Sequence, residues 1–229
     1  MTSHELWHLL QISDQFFPSG AFAFSHAMET YVQLGVVHDR ASCHELLSNL
    51  SWNALGPCDV VFCAHAFRHA ADADLGALGA LDQRLSAIKI PRELRLESRH
   101  TGQAFLRAAL AVTSAPLVQR FFQDVQQGTT PAHHAVVFGL VAQSLDIMED
   151  QALLACLYNI TAGFVAAAVR LVPLGQTDGQ RLLHDLAPTL IEVMHTYRSL
   201  PLDQAWSCTP GLDIRSMQHE RLYSRLCRS

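Results

Sequence analysis

Apolar positions recur along this chain at steps of three and four, and convincing strand-like alternation is absent. Leu75, Leu78, Leu81, Leu85 and Ile88 make the clearest stripe, the mark of one buried helix face. Ser42 to Glu45 has the residue types of a capping box ahead of Leu46, Leu47 and Leu50, and Gly56-Pro57 reads as the stop of that helix. A second helix is predicted from about Cys58, with Val60, Cys63, Ala64 and Phe67 on one face. Pro91 and Pro116 suit the first turns of two more helices, because a missing N–H costs nothing there. Phe121, Phe122 and Val125 line the second of these. After a turn at 128–131, helices are expected over 132–145 and 150–172. Thr177 or Asp178 can cap a further one through Leu182, Leu183 and Leu186, with Pro188 breaking or kinking it. The expected fold is all-α, a bundle-like single domain over 1–229 packed around one or two long buried apolar helices. Residues 201–229 are expected to form a looser segment with a short terminal helix.

Composition sharpens this picture. Apolar residues make up 49% of the 229 positions and charged ones 16%, which excludes a disordered chain. A net charge of -5 argues against nucleic-acid binding. Lys89 is the only lysine, so no chemistry that needs several lysines is available. Residues 152–169 carry no charge and just reach the length of a membrane span. They are rich in Ala and interrupted by Tyr158, Asn159, Thr161 and Gly163, which favours a helix buried in the core. None of the six cysteines forms a CxxC pair, and residues 1–10 lack a signal-like pattern. The expectation is a cytoplasmic protein with free, mostly buried thiols and no membrane contact.

Tests for catalysis return nothing assembled. Phosphate-binding glycine loops and the G-x-S-x-G elbow are missing. Metal chemistry has one candidate: His65 and His69 stand at i, i+4 on a predicted helix, with Cys63 just before them. That trio supports an alternative class, a small helical metal-binding protein or enzyme. No metal ligand is assigned, and the remaining histidines look scattered.

Four stretches together resemble the urease accessory protein UreF family. They are 9–29, with Phe17-Pro18-Ser19-Gly20-Ala21-Phe22-Ala23-Phe24-Ser25-His26 and Glu29; 90–102, with Ile90-Pro91-Arg92-Glu93-Leu94-Arg95, Ser98 and Gly102; 170–180, with Arg170, Pro173-Leu174-Gly175-Gln176-Thr177-Asp178-Gly179; and 213–226. The resemblance implies an all-helical homodimer that acts as a scaffold, not an enzyme. It implies binding to UreD (UreH in some species), to the GTPase UreG and, through the assembly, to apo-urease. Nickel would be handled by that complex and GTP bound by the partner, with no cofactor of the chain's own.

Residues 215–229 hold four Arg against one Glu on an otherwise acidic protein. Drawn as a helix, Leu222 and Leu226 share a face beside Met217 and Tyr223, with Arg221 and Arg225 in the next row. Such a segment suits a partner groove or its own core equally. The resemblance favours UreD docking through Arg215, Met217, His219, Glu220, Arg221, Leu222, Tyr223, Arg225 and Leu226. It also suggests that Glu29, Arg170 and Gln176 face the GTPase. Physically, Arg170 can equally cap its helix, and Phe16, Phe17, Phe22 and Phe24 suggest packing. Arg92 and Arg95 are positioned to pair with acids across a helix contact.

Overall fold

The computed structural model describes residues 2–14 and 16–228. Helices dominate, and among the described residues there is no strand. In chain order they are α1 (Ser3–Ser13), α2 (Met28–Gln33), α3 (Arg40–Leu50), α4 (Val61–Ala71), α5 (Leu75–Ile88), α6 (Arg92–Ala109), α7 (Pro116–Gln126), α8 (His134–Ser144), α9 (Glu149–Leu171), α10 (Gln176–Tyr197) and α11 (Pro210–His219). α8 sits at the centre, against α4, α6 and α9. Ala135 to Ala142 are buried along its whole circumference. One apolar cluster surrounds α8; a second joins α2, α3, α10 and α11 to the C-terminal half of α9.

α9 is the one described helix long and apolar enough to cross a membrane, and 61% of its apolar window is buried inside the protein. It keeps a partly open face at Tyr158. The helix closed on every side is therefore the shorter α8, not α9. α5 and α7 follow their predicted stripes.

Three predicted boundaries move. α3 begins before Ser42: Asp39 is its cap, accepting from the Ser42 N–H at 2.8 Å. Gly56-Pro57 does not stop the chain, which winds as a π-helix over Ser51–Val60 and runs on into α4. A wider turn eases the clash between a proline ring and the preceding carbonyls. Displaced carbonyls find other donors: Tyr197 Oη donates to Trp52 O, the Cys208 N–H to Asn53 O and the Trp206 N–H to Pro57 O. Gly56 serves contact rather than termination, because a Cβ there would lie 2.4 Å from the Tyr197 ring. α10 likewise runs through Pro188, which stands on its exposed side, where water can take the freed carbonyl. Asp178 assists the start of α10 from inside it, accepting from the Gly175 N–H.

Polar groups at the core follow the same accounting. The buried Asp82 carboxylate accepts from Thr130 Oγ1, the Ala132 N–H and the His133 N–H, and so shapes the left-handed entry to α8 at Ala132 (φ 63°). Burial pushes Asp82 up to about 6 against those three donors. Lys89, the single lysine, is half-buried in an ion pair with the buried Asp59 at 2.9 Å. Cys43, Cys58, Cys63, Cys156 and Cys227 are buried free thiols and Cys208 is exposed. Burial pushes the Cys58 thiol to about 12 and Cys43 to about 11, so both stay neutral.

Gly102 on α6 is where this entry is tightest. A Cβ would lie 2.1 Å from the Ala132 carbonyl and 2.7 Å from the His134 nitrogen, backbone atoms that flank the Ala132 and His133 N–H groups bonded to Asp82. Gly102→Ala should therefore lower stability by about 2–3 kcal/mol. Chemical denaturation measures this, with Gly79→Ala in α5 as the control: nothing lies within 4 Å of the added carbon there, so that alanine should instead add about 0.5–1 kcal/mol through helix propensity.

Candidate functional site: the C-terminal clasp

The C-terminal segment is anchored by two short stretches remote from it in sequence, 23–29 and 92–93. α11 packs on α2 and α6 and delivers His219 to a fully buried position. Its ring lies between two carboxylates, Nδ1 2.8 Å from Glu93 Oε2 and Nε2 3.2 Å from Glu29 Oε2. Both partners are oxygens, so the arrangement needs a proton on each bond: an imidazolium, or a neutral ring with one carboxyl protonated. Beyond α11 the chain leaves helical geometry and folds back through turns. Glu29 then accepts from the Leu226 N–H at 2.8 Å and the Cys227 N–H at 3.1 Å. Arg225 reaches Glu93 Oε1 at 3.0 Å and the Glu220 carbonyl at 2.9 Å. The Arg228 N–H closes the loop on Ala23 O.

The carboxylates respond differently. Burial alone pushes Glu29 up, but the Leu226 and Cys227 N–H groups and His219 outweigh it and leave Glu29 below its ordinary value. Glu93 lies above its ordinary value, because burial outweighs His219 and Arg225. Glu29 thus stays an acceptor for the tail, and Glu93 is the more easily protonated of the two.

Several sequence-based positions change. Glu29 does not project from its helix: at 2% exposure it is inside the protein, because the tail needs its oxygens. His219 is also inside, and Leu222 and Leu226 form no helical stripe, since α11 ends at His219. Glu220 turns towards Arg92, 3.7 Å away, and Arg215 bonds Gln218 within its own helix. What the segment offers outward is Ile214, Met217, Tyr223 and Leu226, with Arg221 beside them; Tyr223 is fully exposed and Leu226 84% exposed. Arg95 donates to the Lys89 and Ile90 carbonyls rather than reaching across a helix contact.

Arg170 adjoins this region. Its guanidinium lies 4.2 Å from the Phe22 ring centre and donates to Phe24 O at 3.1 Å. It is exposed, as is Phe22, so the aromatic stretch is split: Phe17 and Phe24 pack inside while Phe16 and Phe22 face out. His26 adopts a left-handed backbone (φ 55°), stacks on Phe164 and pairs with Glu97. Gln176 lies elsewhere, on a groove between α1, α9 and α10. The metal trio does not converge: Cys63 packs against Cys156 in the core, while His65 Nε2 donates to Leu200 O with the His69 ring 6.3 Å away. Glu93 was legible as an acid at a helix start, but nothing local signalled its partner.

Glu29→Gln removes one carboxylate oxygen and the charge. At neutral pH, trypsin should cut after Arg221 and Arg225 at least about tenfold faster, as the loss of charged hydrogen bonds of ~1.5–3 kcal/mol requires. Amide exchange in α8 should not change. The pH dependence follows from the lowered Glu29: its hold on the tail is complete above the ordinary value of 4.5 and is lost as pH falls through its lower folded value. Raised Glu93 acts in the opposite sense, its contribution fading as pH rises from 4.5. Protection of the Leu226 and Cys227 amides, corrected for the slower intrinsic exchange in acid and followed by mass spectrometry from pH 7 down to 3, reads the balance, and lower protection is expected at the acid end.

The sequence matches the family model described as UreF over residues 37–187. It is 37% identical to the urease accessory protein UreF of Actinobacillus pleuropneumoniae serotype 3, over 97% of this chain and 98% of that protein. Against the UreF of Trichodesmium erythraeum the identity is 34%, covering 95% and 94%. Against that of Bacillus sp. strain TB-90 it is 31%, covering 97% and 98%. With helices throughout and similarity across nearly its whole length, the chain belongs to the UreF family of urease accessory proteins.

Proposed function

We propose that the chain is a non-catalytic scaffold of urease maturation, a cytoplasmic homodimer that bridges UreD (UreH) and the GTPase UreG. Nickel is cargo of the assembly, apo-urease its recipient, and GTP is bound by the partner. Family membership supports the urease role, since the relatives are named as accessory proteins. The observation that carries the scaffold role is the clasp. Buried hydrogen bonds from His219 to Glu29 and Glu93 hold a segment whose apolar side chains, Tyr223, Leu226 and Met217, remain in solvent. Uncovered apolar residues on an anchored segment suit a partner surface, and tyrosine is a frequent anchor in such contacts. Arg170, held over Phe22 beside the same tail, is the candidate for an effect on the GTPase cycle.

Deleting residues 213–229 should abolish UreD capture while dimerisation, measured by sedimentation, persists. Because that deletion also strips His219 from two buried carboxylates, the cleaner variant is Tyr223→Ala with Leu226→Ala, which leaves the clasp bonds in place. It should weaken UreD binding at least about thirtyfold, the ~2 kcal/mol of a hot spot. Unchanged capture by the double variant would remove the segment from the interface. Arg170→Ala should alter GTP turnover by UreG in the reconstituted complex without reducing UreD capture; equal turnover would assign Arg170 to packing alone.

A further inference from the structure

Two histidines that looked scattered along the chain come together on α1. His4 and His8 stand one turn apart on the same helix face, with ring centres 4.3 Å apart, closer than the 6.3 Å of the His65–His69 pair. His8 Nδ1 lies 3.1 Å from the Leu145 carbonyl, at the end of α8. A carbonyl only accepts, so His8 carries its proton on Nδ1 when neutral, and the Nε2 lone pair is left for another partner. That is how metal-binding histidines are commonly oriented: the second ring nitrogen donates to a backbone carbonyl, fixing tautomer and ring plane. His4 is exposed, so its ring can rotate to bring a nitrogen beside that of His8.

We propose that His4 and His8 form a surface site for a divalent transition-metal ion of borderline softness, held by two imidazole nitrogens. Imidazole suits Ni2+, Cu2+ and Zn2+, at metal–nitrogen distances of about 2.0–2.1 Å. Hard cations such as Mg2+ and Ca2+ prefer oxygen and are not expected. Among the described residues no group of three or more His, Cys, Asp or Glu side chains converges on one point. Water fills the other positions, which makes the site an open, exchangeable one. The His65–His69 pair is the poorer candidate, because His65 Nε2 is already bonded to Leu200 O and its partner ring is farther away. His133 is buried, with both ring nitrogens facing the hydroxyls of Ser86 and Ser98.

The test is calorimetric titration of the untagged full chain with NiCl2 and with CuCl2, in a buffer that does not bind metal. Copper should bind more tightly than nickel. His4→Ala and His8→Ala should each weaken both ions at least about tenfold, while His65→Ala with His69→Ala should not. Electron paramagnetic resonance of the Cu2+-loaded protein should show two coordinated nitrogens in the parent and one in His4→Ala. His4 forms no part of the core, so that variant keeps the test valid even if His8→Ala loosens α1 from Leu145. Titrations of His4→Ala and His8→Ala that superimpose on the parent would overturn the assignment. So would loss of binding in the His65→Ala, His69→Ala variant alone.

Discussion

A buried imidazole between two carboxylates is the contact on which the C-terminal half of this architecture turns. Removing charges from water is costly, and a buried group left without its partner costs about 3–5 kcal/mol. Glu29 and Glu93 are therefore committed to the tail: with His219, Leu226 and Cys227 withdrawn, both acids would need water or another donor. α2 carries one acid, α6 the other, and α11 the base between them. Displacement of any of the three is felt by the other two, which gives the tail a defined position although its last residues are not helical.

Away from the clasp, the helices are set by close approach. Gly139 lets α8 meet α4, where a Cβ would lie 2.4 Å from the Cys63 carbonyl; Gly56 does the same for the π-helical turn and α10. Such crossings leave little room to adjust, because close-packed interiors transmit displacement rather than absorb it. The tail itself rests on α2 and α6, and α6 in turn packs on α8, while Tyr223 and Leu226 stay exposed. In the proposed scaffold role such a surface would work by presentation, through the exposed side chains of Met217, Tyr223 and Leu226.

The helices themselves were largely legible. The stripe at 75–88 and the proline starts at 91 and 116 come from local spacing and appear as α5, α6 and α7. What misled were breakers: Gly56, Pro57 and Pro188 sit inside continuous helical winding. In each case groups from elsewhere, or solvent, compensate for the missing local bond, and a sequence window does not contain them. The terminal segment misled for the same reason. Its spacing suits an amphipathic helix, but Glu29 takes two of its N–H groups and ends that option.

By itself the amino-acid sequence determined the all-helical class, most element positions and, through its full-length similarity, the UreF family, because these follow from periodicity and residue order. Tertiary structure alone decided which polar groups are buried together. Glu29 and His219 are 190 positions apart, Glu93 and His219 126 apart, and His8 meets a carbonyl 137 positions away. Pairings at such range depend on how helices cross, and the pattern of any single helix says nothing about the element that will lie across it.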